Sequence, residues 1–148
     1  MRLAFDTQVD PDYLLRGQIV RYVRLIAKVS FQTRNGWTEI REVIIDTGGP
    51  ISIIPRRVWQ QTRHRFLSTD EIEVLVGGRG TTGRFGQVVL RFHDAVDSER
   101  ISPPLMVKAD LLSDDSYPIV LGFEDVLTDV ALYSDYPQQA AYFLFPPA

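Results

Sequence analysis

VIIDTGGPISIIP, residues 43–55, is the stretch that decides the fold. Three β-branched residues run into Asp46, a hydroxyl and two glycines, and an alternating apolar run follows. This pattern predicts a buried strand, a tight turn and a second strand. A carboxylate at the mouth of an apolar layer must be hydrogen-bonded, paired or partly protonated, and such acids are concentrated at functional sites. Asp46 is therefore the first candidate functional residue.

Strand patterns extend to both sides of this stretch. Residues 19–31 and 37–45 flank Asn35-Gly36, a dipeptide that predicts a type I′ hairpin, so the first hairpin carries the acid. A short helix with Pro55 at its first position is predicted next. The other predicted strands cover residues 71–76, 87–92, 105–112, 119–122 and 141–145. Residues 1–18 show no clear pattern, and we expect a poorly defined N-terminal extension there.

A glycine-rich segment, residues 77–86, lies between two of the predicted strands. Gly78 to Gly83 matches G-x-G-x-x-G, but a dinucleotide site needs a helix after this motif, and here a β-branched alternating run follows. The segment is therefore interpreted as a mobile hairpin between strands.

Composition narrows the class of protein. The 148 residues predict one domain, 1–148, and 45% hydrophobic residues are ordinary for a globular protein. A formal charge of −3 gives no reason to expect nucleic acid or a membrane as partner. Without cysteine, disulfides and thiolate metal sites are excluded, and no metal or cofactor is expected. The first residues have no continuous apolar run typical of a signal peptide, so we expect a cytoplasmic protein.

Residues 43–55 resemble the catalytic strand and loop of the aspartic proteases, particularly the single-lobed retropepsin-like family and its non-viral members. The glycine hairpin and the segment 119–122 follow in the order found in that family. The resemblance implies an all-β acid-protease fold with a short helix after Gly122, and an aspartic endopeptidase in which Asp46 is catalytic. It implies that Thr47 braces the loop across an interface and that Gly48 offers backbone contacts to substrate. The hairpin would be the flap over bound peptide, with the substrate-binding residues Gly77, Gly78, Arg79, Gly80, Thr81, Thr82 and Gly83.

The chain holds one Asp-Thr-Gly, whereas this chemistry needs two carboxylates that share a proton. The resemblance therefore implies a homodimer acting on a peptide or protein substrate, with one Asp46 from each subunit at the two-fold axis. Three positions depart from the family's pattern. Gly49 replaces the usual alanine or serine, and Pro50 and Phe123 stand where the retroviral enzymes have an aspartate and an arginine that pair near the dimer interface.

Two other interpretations of the sequence stay open. The chain could be a non-catalytic peptide-binding or dimerisation module of the same fold, holding an extended peptide by strand addition. Asp46 could also cap a structural turn, with a positive φ at Gly48. A serine nucleophile is disfavoured because His64 and His93 are both expected at the surface.

Overall fold

A computed structural model describes residues 1–147 and gives an all-β architecture with a mixed sheet. The strands within this range are β1 (Ala4–Val9), β2 (Arg21–Phe31), β3 (Arg41–Ile45), β4 (Ser52–Ile54), β5 (His64–Phe66), β6 (Ile72–Val76), β7 (Arg79–His93), β8 (Leu105–Leu112), β9 (Val120–Leu121), β10 (Ala131–Asp135) and β11 (Ala140–Leu144). Two one-turn helices are α1 (Pro11–Leu14) and α2 (Arg56–Trp59). No helix within the described range is long and apolar enough to cross a membrane.

The main sheet closes on itself. Its order is β1-β2-β3-β9-β4-β8-β7-β5, and β2 also pairs with β7. Six strands from β2 to β7 therefore form a ring in which each strand has a neighbour on both sides, so the ring has no open edge. The pairs β3–β9 and β4–β8 are parallel, and the other pairs in the ring are antiparallel.

Alternation along the strands explains where the core lies. In β8, Val107, Ala109 and Leu111 are buried, while Lys108 and Asp110 are partly exposed on the opposite face. The same period of two fills the interior from β2, β3 and β7. The predicted strand at residues 105–112 is confirmed in full.

The N-terminal segment is more ordered than the sequence predicts. Residues Ala4–Val9 form β1, which pairs antiparallel with β2 in the register Ala4↔Ile26 to Val9↔Arg21. Its side chains are exposed or partly exposed throughout, so they show no apolar period. The expectation of a poorly defined extension over residues 1–18 is therefore wrong for β1. It failed because an edge strand with little burial carries no hydrophobic signal.

The hairpin that carries Asp46 is present, but its turn differs from the prediction. β2 pairs with β3 from Leu25↔Ile45 to Val29↔Arg41, and residues 32–40 connect them. Within this connection only Gly36 has positive φ, at +152°, so a type I′ turn at Asn35-Gly36 is not formed. Instead the Asn35 N–H bonds the Thr33 hydroxyl, and the Thr33 N–H bonds the Gly36 carbonyl.

The C-terminal strand β11 is paired within its own chain. It forms a two-stranded sheet with β10, in the register Ala131↔Leu144 to Asp135↔Ala140. On its other side, the Leu3 N–H bonds the Ala141 carbonyl at 2.9 Å. The sequence analysis predicts no partner for this strand, because residues 131–135 show no strong strand pattern. β11 therefore does not offer a free edge for association.

Candidate active site

Asp46 stands directly after β3, where this strand leaves the sheet. Its N–H bonds the Leu121 carbonyl at 2.9 Å, so β9 fixes the point at which the chain turns. The Oδ1 atom of Asp46 accepts hydrogen bonds from the N–H groups of Gly48 at 3.0 Å and Gly49 at 3.1 Å. The carboxylate thus organises its own turn, as a capping aspartate does.

The expected burial of Asp46 is not found in the single chain. Asp46, Thr47 and Gly48 are all exposed, in the turn that follows β3. Gly48 does not have positive φ. Gly49 matters for another reason: a Cβ there would lie 3.0 Å from Oδ2 of Asp46 and 3.2 Å from its Cγ. Glycine at 49 therefore leaves room for the carboxylate.

The late segment around Gly122 lies against the Asp46 loop. β9 runs parallel to β3 and antiparallel to β4, with Val120 opposite both Ile44 and Ile53. The Gly122 N–H donates to the Oγ of fully buried Ser52 at 3.0 Å, and the Phe123 N–H donates to the Gly49 carbonyl at 2.7 Å. The segments 43–55 and 119–122, which the sequence analysis singled out separately, are thus brought together.

The predicted helix after Gly122 is a broken helical turn, Phe123–Leu127. Glu124 has an extended ψ of 134°, and Asp125 has a left-handed φ of +62°. Lys108 holds both residues towards β8: its ammonium lies 2.9 Å from Glu124 and 3.7 Å from Asp125, and its N–H bonds the Asp125 carboxylate at 2.8 Å. These contacts replace the continuous helix that the sequence predicts.

The β6–β7 hairpin reaches towards Asp46 with a very short turn. Val76 pairs with Arg79, and the two residues between them, Gly77 and Gly78, have φ values of +57° and +78°. Both glycines supply the positive φ that a type I′ turn requires.

The rest of the glycine-rich segment, from Arg79 onwards, is regular strand. A Cβ at Gly83 would lie 3.0 Å from the Leu111 carbonyl oxygen, and one at Gly86 would lie 2.6 Å from Cδ1 of Leu111. These glycines allow β7 to pack closely against β8. The expectation of a mobile hairpin over residues 77–86 is therefore too broad, because it counted packing glycines as turn glycines.

The predicted flap residues are distributed along this hairpin. Arg79 places its guanidinium 5.6 Å from the centroid of the Tyr117 ring. Gly80 and Thr81 pair with Leu75 and Val74, and the Thr82 hydroxyl bonds that of Ser113. Of the seven predicted flap residues, Gly77 alone lines the cavity beside Asp46.

That cavity has a volume of about 240 Å³. The loop after β3, the hairpin tip and the sheet form its walls. Its lining residues are Asp46, Gly49, Pro50, Ile51, Ile53, Val74, Leu75, Val76, Gly77, Asp110 and Val120. The arrangement places one exposed carboxylate at the edge of an apolar cleft beneath a hairpin, where an extended peptide could be held.

Asp110 is the member of this cavity that the sequence analysis missed. It is partly buried on β8, and burial raises the pKa of its carboxyl group above the ordinary value. The sequence feature that could have identified Asp110 is that it is the single acid in the largely apolar run LMVKADLL. It was not recognised because nothing local shows that this face of β8 meets the Asp46 loop.

A serine–histidine site is not supported. His93 is buried, contrary to the expected surface position, and its Nε2 lies 2.8 Å from the Ser30 hydroxyl. Ser30 is itself 1% exposed, so substrate has no access to it. His64 packs edge-on against Trp59. Within residues 1–147, no group of three or more histidine, aspartate or glutamate side chains could hold a metal ion.

No protein-family model matches this chain, and no curated protein matches it in sequence.

Proposed function

We propose that this chain is a retropepsin-like aspartic endopeptidase that works as a homodimer. The observation that carries the proposal is the placement of Asp46: a strand ending in Asp-Thr-Gly delivers its carboxylate to the edge of a cavity that a β-hairpin overhangs. The contact of the Gly122 segment with the same loop adds support. These three parts correspond to the three landmarks on which the resemblance depends.

The chemistry follows from two carboxylates around one water. The unprotonated carboxylate takes a proton from water as the water oxygen attacks the peptide carbonyl, and the protonated carboxylate gives its proton to the carbonyl oxygen. The tetrahedral diol then collapses: the carboxyl group that took the water proton gives it to the leaving nitrogen as the C–N bond breaks, and the other carboxylate takes a proton from a diol hydroxyl, which restores the starting pair. One chain supplies one Asp-Thr-Gly, so the second carboxylate would be Asp46 of a second copy.

Features of the Asp46 loop support a shared site. Asp46, Thr47 and Gly48 are exposed together, and the nearby Phe123 side chain is 49% exposed. The cavity of about 240 Å³ is smaller than the roughly 300–1,000 Å³ of typical complete ligand pockets. A second copy placed against this loop would enlarge the cleft and cover the aromatic ring. Pro50 and Phe123 would then give an apolar contact where the retroviral enzymes use a charged pair.

The test compares wild type with Asp46→Asn. Asparagine keeps an oxygen that can accept from the Gly48 and Gly49 N–H groups, so the turn is retained while the acid is removed. We expect wild type to cleave members of a random peptide library, detected by mass spectrometry, and the variant to cleave none. Asp70→Asn, at an exposed acid away from the cavity, is the matched control and should cleave as wild type does. Equal cleavage by wild type and Asp46→Asn would end the proposal.

The pH dependence of cleavage gives a second readout. Activity needs one protonated and one ionised carboxylate, so the rate should be bell-shaped in pH with its optimum on the acid side of neutrality. A rate that keeps rising through alkaline pH, or that requires an added metal ion, would contradict the mechanism. Sedimentation of the same samples should show a dimer at concentrations where cleavage is observed.

A specific observation favours one rival function, a non-catalytic peptide-binding module. In the described part of the chain, β6 pairs on one side only, with β7, so its other edge is free beside the cavity. An extended peptide could add to this edge by main-chain hydrogen bonds. Saturable peptide binding without cleavage in wild type would establish this function instead. If Asp46→Asn changes neither binding nor cleavage, Asp46 acts as a turn cap.

A further inference from the structure

A row of paired residues crosses the sheet at one level, and its three middle members, Val120, Ile53 and Asp110, line the cavity. Ile44 of β3 lies opposite Val120 of β9, Val120 opposite Ile53 of β4, Ile53 opposite Asp110 of β8, and Asp110 opposite Phe85 of β7. Directly paired residues in a sheet point to the same face. Asp110 is therefore the one ionisable member of an otherwise apolar row across five adjacent strands.

The Asp110 carboxylate has no partner of its own. Within residues 1–147 it makes no side-chain hydrogen bond and no ion pair, although it is partly buried. Lys108 points to the same face two residues earlier, but its ammonium is held 2.9 Å from Glu124. Its oxygens still reach solvent at the cavity, so a ligand can contact them, but partial burial raises the pKa of this carboxyl group and no cation in the described residues offsets that cost. Stability alone therefore gives no reason for an acid at this position.

The surroundings of Asp110 define what would satisfy it. Ile53, Val74, Val76 and Val120 line the same cavity with apolar surface. Lysine and arginine have long apolar stems that lie along such surface, and each ends in a cation with several donors. A charge-assisted hydrogen bond to the carboxylate would then form away from bulk water, where it is strong.

We propose that Asp110 is a specificity-determining residue that selects a lysine or arginine side chain of a peptide bound in this cavity. The inference rests on the proposed function to the extent that a peptide occupies the cleft beside Asp46. Asp46 and Asp110 line the same cavity, so the selected side chain would belong to a residue close to the scissile bond. Asp110 itself takes no part in the bond-breaking step.

The experiment uses pairs of peptides that differ in one charge. A positional-scanning library of acetylated octapeptides carries lysine or norleucine, arginine or citrulline, and glutamate or glutamine, at each position in turn. We expect wild type to prefer the basic member at one position by about tenfold to a hundredfold in kcat/KM, the range of a charge-assisted hydrogen bond. Asp110→Asn should reduce this preference to a few-fold while it retains cleavage of the norleucine peptides. Asp110→Lys should shift the preference at that position to glutamate.

Three results separate the two proposals. Cleavage by wild type without a basic preference, or an unchanged preference in folded Asp110→Asn, would overturn the role of Asp110 and leave the protease intact. If wild type cleaves nothing, the same library is tested for equilibrium binding: retention of basic peptides that is lost in Asp110→Asn would support Asp110 and refute the protease. Neither cleavage nor binding of any library member would refute both. Circular dichroism establishes that each variant is folded, and Asp70→Asn again serves as the control.

Discussion

Gly122→Ala is the substitution for which the structure gives the sharpest expectation. An ideal Cβ at this position would lie 2.7 Å from the Gly49 carbonyl oxygen, and 2.8 Å from both the carbonyl carbon and oxygen of Ile51. Ordinary contacts of a Cβ begin near 3.4 Å. All three atoms belong to the backbone of the Asp46 loop, so no side chain can rotate out of the way. The φ of Gly122 is −90°, a value open to any residue, so the cost is steric.

The size of the effect can be worked from the contacts that would be lost. Overpacking by one methyl group usually costs about 1–3 kcal/mol, and a clash with backbone belongs at the upper end. The loop can retreat only if the hydrogen bond from the Phe123 N–H to the Gly49 carbonyl lengthens from 2.7 Å, together with the one from the Glu124 N–H to the Pro50 carbonyl at 3.0 Å. Each such bond contributes about 0.5–1.5 kcal/mol. We therefore expect the free energy of unfolding to fall by about 3–5 kcal/mol.

Urea denaturation followed by tryptophan fluorescence measures this change. For a chain of this size, 3 kcal/mol corresponds to a melting temperature lower by about 6–12 °C. Gly80→Ala is the matched control, because no atom lies within 4 Å of its Cβ position and its φ is not positive. It should alter the free energy of unfolding by no more than about 0.5 kcal/mol. A Gly122→Ala protein as stable as the control would show that the loop does not lie against Gly122 as described.

Three further predictions concern the surroundings of the site. Ser52→Ala leaves a buried backbone N–H without its acceptor and should cost about 1–3 kcal/mol of stability in urea denaturation. Burial alone would raise the pKa of Asp94, but hydrogen bonds from Arg2 and the backbone outweigh it and hold that pKa well below its usual range. Asp94→Asn should therefore be less stable than wild type at pH 7. The difference should begin to shrink as the pH falls below about 4, the unfolded pKa, and should vanish only as the pH approaches the lowered folded pKa, because the native carboxylate is protonated only there. Amide exchange at the Gly77 turn should be fast without ligand and slow when a peptide binds, while the amides of β8 stay unchanged; equal exchange in both states would exclude the hairpin as a flap.

The strands could be predicted where burial is one-sided or complete. Residues 105–112 and 71–76 alternate because one face meets the core, and both became strands within a residue of the expected bounds. β1 has no such pattern because it lies at an edge and buries little. β10 was missed because residues 131–135 combine one alanine and three polar or amphipathic residues with a single leucine. In both strands, pairing with the next strand along the chain determines the structure, although the strand itself carries no clear apolar pattern.

The glycines show a different limit of sequence analysis. Gly78 and Gly83 are equivalent in a motif, yet one supplies positive φ at a turn and the other lets two strands approach. Asn35-Gly36 was the strongest local turn signal in the chain, and hydrogen bonds of Thr33 replaced it with another turn. Local sequence identifies where the chain can turn, but tertiary contacts determine which turn forms.

Asp46 was found from the sequence because its flanks are unusual, whereas Asp110 was not, because its significance depends on four strands that are distant in sequence. Asp46 was expected to be buried but is exposed in the single chain. Its contribution to the stability of one chain can therefore be measured separately from its proposed role in a dimer. An exposed carboxylate that bonds only its own turn contributes little to the stability of one chain, so Asp46→Asn should unfold within about 0.5 kcal/mol of wild type when both are single chains. The cost of placing a charge in apolar surroundings would then fall on association, when two copies bring their Asp46 loops together and shield them from water. Equilibrium unfolding and sedimentation of the same variant distinguish these steps. Asparagine still accepts from the Gly48 and Gly49 N–H groups, so a large loss of stability in the dissociated protein would show that the negative charge of Asp46 itself stabilises the single chain, and would remove the main physical reason to assign it a catalytic role.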